Sequence, residues 1–399
     1  MTKPMVVSGA GIGGLCTALA LIQRGFEIIV CEQASELREV GAGVQLSPNG
    51  TRVLASLGVL DELRAVAVEA DAKEIRLWNS GETWPLFDLG AAAMTEYGFP
   101  YLMVHRGDLQ AVLATAVERA APGTIRLGAE VVDVRDHGDF ASAILADGRS
   151  VDGRLVIGAD GIHSRIRSRT LGAGDAAFTG CIAWRGVVPS DRLPARLRRA
   201  VGANWVGPGR HVVTYPLRRG ELVNFVGVVE RGGWETESWT ARGSREDCAK
   251  DFAGWHEDVH ALIDNIDVHY RWALMTRPPI EHWSSGNVVL VGDACHPMLP
   301  FMAQGAVMAI EDAVLLARAI ESHRDDLATA IRTYESLRVE RANRCVRAAD
   351  RNREIFHNDR LTDRADATRY VSTQWSEAKI RERYHWLFSY DAVSCPLEC

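Results

Sequence analysis

The chain contains no run of about 18 consecutive apolar residues, which a membrane-spanning helix needs, so no membrane span is expected. It lacks a basic excess as well: 45 Lys and Arg stand against 52 Asp and Glu, a net charge of −7. Phosphate backbones require concentrated positive charge, and arginine groups such as Arg196, Arg198 and Arg199 are short enough to be solvated surface. Nucleic acid is therefore not an expected partner. The apolar stretch around Met5 has neither a basic leader nor a small-residue cleavage site, so it does not read as a signal peptide. Eight cysteines are scattered from Cys16 to Cys399 without paired spacing. Cys395 and Cys399 are close but have no histidine partners, which argues against a metal site. Such cysteine usage fits a reducing cytoplasm. No internal repeat or low-complexity segment stands out.

What is present is an ordinary globular composition, 47% apolar and 24% charged, over 399 residues, enough for two domains. The first residues read as strand (Pro4 to Ser8), glycine turn (Gly9 to Gly14), helix (Leu15 to Gln23) and buried strand (Phe26 to Cys31). Apolar strands alternating with helices imply a parallel sheet with both faces covered. Short strands are expected between Ile75 and Met103, and a helix from Arg106 to Ala120. Strands are expected over Ile125 to Val134, Ala141 to Leu145 and Arg154 to Gly158. The stretch from Gly180 to about Val268 is strand-like, with alternation over Trp205 to Tyr215 and Leu222 to Glu230. Val288 to Gly292 reads as a further buried strand, and Met308 to Ile320 and Ala328 to Arg353 as long helices. The expected fold class is α/β with an α+β insert. A nucleotide-binding domain is built from residues 1–72, 100–176 and 280–355, a sheet domain from 73–99 and 177–279 is inserted in it, and a helical tail covers 356–399.

The glycine turn is Gly9-Ala10-Gly11-Ile12-Gly13-Gly14. Gly9 permits the tight turn, Gly11 lets backbone approach a pyrophosphate, and Gly14 lets helix and strand pack closely. The helix start offers free N–H groups to phosphate. Glu32 ends the second strand, 23 residues after Gly9, where it can accept from a ribose diol. Together these features mark a dinucleotide site, without distinguishing FAD from NAD.

Two later motifs carry a resemblance. Gly158-Ala159-Asp160-Gly161-Ile162-His163-Ser164-Arg165-Ile166-Arg167 resembles the Asp-Gly signature of single-component (class A) flavoprotein aromatic hydroxylases. Gly292-Asp293-Ala294-Cys295-His296-Pro297 resembles their second flavin signature. The likeness runs over nearly the whole chain, including Gly41-Ala42-Gly43-Val44-Gln45 and His105-Arg106-Gly107-Asp108-Leu109, and is strongest to salicylate, 3-hydroxybenzoate and 6-hydroxynicotinate hydroxylases. It implies a para-hydroxybenzoate-hydroxylase-like fold: a Rossmann-like FAD-binding domain, an inserted mixed-sheet substrate domain and C-terminal helices. It implies FAD, NADH or NADPH as transient reductant, O2, and hydroxylation through a flavin C4a-hydroperoxide. A single glycine fingerprint is evident, so the nicotinamide is expected to have no Rossmann domain of its own. A homodimer is inferred from the same relatives.

Residue by residue, the resemblance implies that Gly9, Gly11, Gly13, Gly14, Glu32, Gln45, Arg106, Val131 (through its backbone), Asp160, Asp293, Gly305 and Ala306 bind cofactor. It implies that Gln45, His211, Tyr215, Pro300 and Phe301 line the substrate pocket. His211 and Tyr215 are four apart on an expected strand and so share a face. Electrophilic hydroxylation needs an electron-rich ring, and a neutral histidine can take the proton of a ring hydroxyl. Tyr215 can orient a carboxylate or phenolate. His296 reads as support for its loop, with substrate contact as the other use. Phe301 makes no hydrogen bond through its side chain, so an apolar wall is expected there. The substrate class is a small hydroxylated aromatic acid or, alternatively, a hydroxypyridine, with decarboxylation open. A flavin halogenase would carry a Trp-x-Trp-x-Ile-Pro segment, which is not found. A non-catalytic flavoprotein would not need the His211 and Tyr215 pair.

Overall fold

A computed structural model describes residues 3–37, 43–172, 174–232 and 242–397. Gly41 and Ala42 of the resemblance, and Cys399, lie outside the described residues. Among the described residues four sheets form.

The first sheet has six strands, in the spatial order Ser284–Ser285, Val288–Leu290, Leu155–Gly158, Met5–Ser8, Ile28–Cys31 and Ile125–Arg126. All pair in parallel except the first two. Met5–Ser8, Leu155–Gly158 and Val288–Leu290 are buried throughout, as continuous apolar runs covered on both faces must be. The helix Ile12–Ile22 packs against the sheet and against the helices Arg106–Ala120 and Gly305–Ser322. It begins three residues before the expected Leu15, inside the glycine turn itself.

The second sheet has seven strands: Tyr270–Thr276, Ala177–Pro189, Leu222–Glu230, Arg210–Leu217, Val201–Gly207, Ala72–Leu77 and Thr83–Asp88. It is antiparallel except where Val201–Gly207 meets Ala72–Leu77. Strand parity sorts its residues. Trp184, Val212 and Phe225 face a separate core with Phe252, Trp255 and Ile266. Their neighbours Arg185, His211, Val213, Tyr215 and Val226 face the other way, into a cavity.

Three local expectations change. Trp205 to Tyr215 is two strands joined at Pro208-Gly209, where Gly209 takes the φ of +65° that the tight turn needs. Ile125 to Val134 also splits, at Gly128 (φ +64°): Ile125–Arg126 joins the parallel sheet and Val131–Asp136 a three-stranded meander. The region before Val268 is not all strand: Arg245–Asp251 and Glu257–Asn265 are helices. Ser244 caps the first through Asp247 N–H, and both carry acids in their first turn. Gly186 and Gly227 admit Ile266 and Phe252 to the sheet surface, where an added Cβ would stand 2.4 and 2.6 Å from them.

The long helix Leu327–Phe356 runs beside Gly305–Ser322, and Arg364–Gln374 and Glu377–Phe388 follow it. No described helix is long and apolar enough to cross a membrane.

Candidate active site

The three motifs meet because the strands they follow are neighbours. Ser8 pairs with Gly158, and Gly158 with Leu290, at the carboxyl ends of adjacent parallel strands. Each strand therefore delivers its turn to one edge, the place where open α/β sheets bind ligands. Arg167 ties two of the motifs together, donating to the Cys295 carbonyl (3.1 Å) and to that of Pro278 (3.1 Å).

Two clefts open at this edge, and His163 borders both. The first is lined by Gly9, Gly11, Glu32, Val131, Asp160 and Arg165. Gly9 has φ +106°, and a Cβ there would stand 2.5 Å from the Ala159 carbonyl. A Cβ on Gly14 would lie 2.0 Å from Gly9 O, so that glycine serves the turn and its packing. One on Gly13 would press on Ala309 at 3.2 Å, which is helix packing rather than ligand contact. Gly11 differs, since a Cβ there meets nothing within 4 Å and points into open space. The Ile12–Ile22 helix has no side-chain cap, which leaves its first N–H groups for an anion. Glu32 accepts from the backbone N–H of Ala10 (2.7 Å) and Ala34 (2.8 Å). Asp160 accepts from Ile166 N–H at 3.2 Å through one oxygen. Its other oxygen is buried with no partner among the described residues, and burial raises its pKa.

The second cleft lies between the seven-stranded sheet and the start of the Gly305–Ser322 helix. Gln45, Arg106, Arg185, His211, Tyr215 and Asp293 line it, with Pro300, Gly305 and Ala306. Gln304 stands at the N-cap of this helix without a side-chain cap, so a second positive helix end faces a cavity. Asp293 is exposed to the cleft rather than capping that helix. An elongated dinucleotide fits these features: two uncapped helix starts, an open face at Gly11 and an unpartnered carboxylate oxygen at Asp160.

His211 is 1% exposed and Tyr215 4%. Burial, with the neighbouring His357, holds the His211 pKa well below 6.5, so the ring is neutral at pH 7. Burial raises the Tyr215 phenol, which therefore stays a donor. Gln45 accepts from Tyr101 Oη at 2.9 Å.

Phe301 sits elsewhere than expected, while His296 takes the loop-supporting place expected of it. Phe301 is not among the residues lining the cavity; its ring stands edge-on to His211 at 4.8 Å and packs it from behind. His296 is fully buried, its Nε2 2.6 Å from Asp312 Oδ2, away from the cavity lining. Asp312 in turn pairs with Arg338, so His296 supports its loop from within an ionic network. Cys295 approaches this pair, but burial holds its thiol far above the usual range, and Arg338 already neutralises the carboxylate.

Sequence reading missed Arg185 and Trp272, whose guanidinium and ring stack at 3.7 Å in the cavity wall. A charged residue amid the apolar strand Ala177–Pro189 was the available signal. It also missed His357, which meets His211 from the end of the long helix.

Comparison with known proteins agrees with this geometry. The FAD binding domain family matches residues 2–349, and the chain belongs to it. It is a flavoprotein, an FAD-dependent aromatic monooxygenase of the type that includes 3-hydroxybenzoate 6-hydroxylase and 6-hydroxynicotinate 3-monooxygenase. It is 38% identical to 3-amino-4-hydroxybenzoate 2-monooxygenase PtnB3 of Streptomyces platensis, over 98% of this chain and 96% of that protein. It is 36% identical to 6-hydroxynicotinate 3-monooxygenase of Pseudomonas fluorescens, over 98% and 96%. Identity to 3-hydroxybenzoate 6-hydroxylase 1 of Aquipseudomonas alcaligenes is 36%, over 86% and 87%. Among solved structures, Klebsiella pneumoniae HpxO complexed with FAD and uric acid superposes with a TM-score of 0.82 at 28% identity, covering 99% of this chain and 98% of that one.

Proposed function

We propose that this chain uses NADH or NADPH and O2 to hydroxylate a small aromatic acid that already carries a ring hydroxyl. The observation that carries the reading is the facing of His211 and Tyr215, across one cavity, towards the open start of the Gly305–Ser322 helix. FAD, when bound and reduced, would supply the electrons that activate O2; the protein's share is binding, orientation and proton control. Gly9, Gly11 and the Ile12–Ile22 helix start would hold the pyrophosphate, Glu32 the ribose, and the Val131 backbone the adenine. Asp160, Asp293 and Arg106 would hold the same cofactor further along, and Gly305 and Ala306, at the open helix start, would offer it N–H groups.

Substrate would occupy the cavity under the seven-stranded sheet. His211 removes the proton of the substrate hydroxyl, which enriches the aromatic ring for electrophilic attack. Tyr215 donates to a substrate oxygen, Gln45 borders the same space, and Pro300 closes one side. Arg185 is assigned to the substrate carboxylate, since a guanidinium pairs with carboxylate in a fixed fork. The surrounding apolar wall keeps water from the reacting oxygen. A hydroxypyridine carboxylic acid offers the same hydroxyl and carboxylate, and the 36% identity to a 6-hydroxynicotinate enzyme makes it the second reading. We further infer a cytoplasmic homodimer, working where reduced nicotinamide is made.

The test is a panel of hydroxybenzoates, aminohydroxybenzoates and hydroxypyridine carboxylates, with NADH loss and hydroxylated product measured together. Matched product and NADH with a hydroxybenzoate supports the first reading. A match only with a hydroxypyridine moves the substrate class to the second. NADH loss without product from any compound overturns both.

A further inference from the structure

We propose that His357 and Glu230 extend His211 into a proton relay from the buried cavity to solvent. The proposal rests on the reading of His211 as the base. Three segments converge to build it: the strand Arg210–Leu217, the last residue of Leu222–Glu230, and the residue that caps Leu327–Phe356. Backbone bonds at the hairpin stitch them together, Gly209 N–H donating to His357 O (3.0 Å) and Glu230 N–H to Gly209 O (3.0 Å).

The direction of the chain follows from its acidic end. A carboxylate can only accept, so His357 Nδ1, 2.8 Å from Glu230 Oε1, carries a proton and donates it. Neutral His357 then has its lone pair on Nε2. That atom lies 2.6 Å from His211 Nδ1, which must therefore be the protonated nitrogen. The remaining nitrogen, His211 Nε2, is the acceptor left for the cavity that His211 lines. Phe301 and Phe356 stand edge-on to the His211 ring at 4.8 and 5.3 Å and hold its plane.

The relay answers an electrostatic difficulty. His211 sits where burial resists an imidazolium, so taking a proton and keeping it is unfavourable. Passing the proton on leaves the ring neutral. The substrate O–H bond breaks and an N–H bond forms at His211 Nε2. The Nδ1–H of His211 breaks as His357 Nε2 gains a proton. The Nδ1–H of His357 breaks as Glu230 gains one, and Glu230 releases it to water. One proton leaves, the substrate keeps the electron pair, and both imidazoles end neutral with their tautomers exchanged. Return of a proton along the same path, when the product hydroxyl is reprotonated, resets them.

Glu230 is suited to the outer end because its side chain is 47% exposed, while that of His357 is 2%. It opens on a surface cleft with Arg231, Arg353 and Glu354. The charged and titratable groups facing the relay are Arg353, beside both Glu230 and His357, and the buried Cys181 thiol beside Glu230; Arg231 is paired with Asp251.

The experiment uses holoenzyme with 3-hydroxybenzoate, 3-amino-4-hydroxybenzoate and 6-hydroxynicotinate, carrying forward whichever is hydroxylated. Stopped-flow absorbance follows deprotonation of its ring hydroxyl on binding, for wild type, Glu230→Gln, His357→Ala and His211→Asn. The relay predicts deprotonation about tenfold or more slower in Glu230→Gln and His357→Ala, with substrate affinity and flavin content kept. It also predicts rescue by small buffers, imidazole for His357→Ala above all, and a larger solvent isotope effect. Glu230→Gln alters an exposed end and so tests the idea even if His357→Ala folds poorly. Unchanged rates in Glu230→Gln and His357→Ala alongside a slow His211→Asn would remove the relay and leave the proposed function standing. Slowing without buffer rescue also overturns it, by assigning these side chains a structural part only. An unchanged His211→Asn overturns the reading of His211 itself.

Discussion

Gly11 and Gly14 are three residues apart and should fail differently when given a side chain. Gly14 has the Gly9 carbonyl 2.0 Å from where its Cβ would be, so Gly14→Val should prevent the turn from closing and yield little folded protein. Gly11 faces empty space, so Gly11→Val should fold with a near-normal Tm and yet purify colourless, its side chain filling the pyrophosphate approach. Yellow, flavin-loaded Gly11→Val protein would contradict this. Arg185→Met should keep the flavin and raise KM for a carboxylated substrate by about tenfold or more, the loss of one charge-assisted bond of about 1.5–3 kcal/mol. An equal KM for substrate in wild type and variant would release Arg185 from that assignment. The imidazoles also make a pH prediction. Burial depresses both His211 and His357 in the folded chain relative to 6.5, so below that pH the unfolded chain binds more protons. Their contribution is complete above pH 6.5 and is lost as pH falls through the folded values. The fall in Tm between pH 7 and 5 should therefore be shallower in His211→Asn than in wild type; parallel curves would refute the linkage.

At the scale of elements, the helix Gly305–Ser322, whose start borders the cavity, is anchored to the long helix by buried charge. Arg338, fully buried, pairs with Glu311 and Asp312, while Arg341 pairs with Glu311 at 2.8 Å. Arg338→Met should leave Asp312 with only His296 and the Gly292 N–H, and Glu311 with only Arg341 as an ion-pair partner, and cost about 3–5 kcal/mol, read from denaturant melts. A loss under 1 kcal/mol would show that the anchor lies elsewhere. Such pairings also mark the limit of what the chain's order reveals. The three flavin motifs were legible because each is local: a strand, a turn and a helix start within about ten residues. His211 and Tyr215 were legible because strand parity is local too. Arg185, His357 and Glu230 join the site only through strand order and the landing point of a 30-residue helix, which no local spacing encodes. The helices Arg245–Asp251 and Glu257–Asn265 were hidden for another reason: they are short and cover a sheet face that sequence alone does not expose as uncovered. Phe301 was assigned to the right neighbourhood but the wrong side of His211, because a motif does not say which way a ring turns.

For the whole molecule, the two larger sheets have separate tasks in the proposed function. The parallel sheet gathers three turns at one edge into a cofactor groove. The seven-stranded sheet offers its inner face as the roof of a cavity, its outer face being buried against two helices. In the proposed function substrate is held between a wall carrying His211, Tyr215 and Arg185 and the open end of a helix. This arrangement predicts that oxygen transfer and proton removal happen in one cavity, with the transferred atom coming from O2 and not from water. The direct measurement is turnover of the best-coupled aromatic acid under 18O2, with the product analysed by mass spectrometry. The account predicts one 18O atom in each product molecule, formed in step with NADH or NADPH consumed. Product carrying only solvent oxygen, or nicotinamide oxidised with no hydroxylated product, would contradict it.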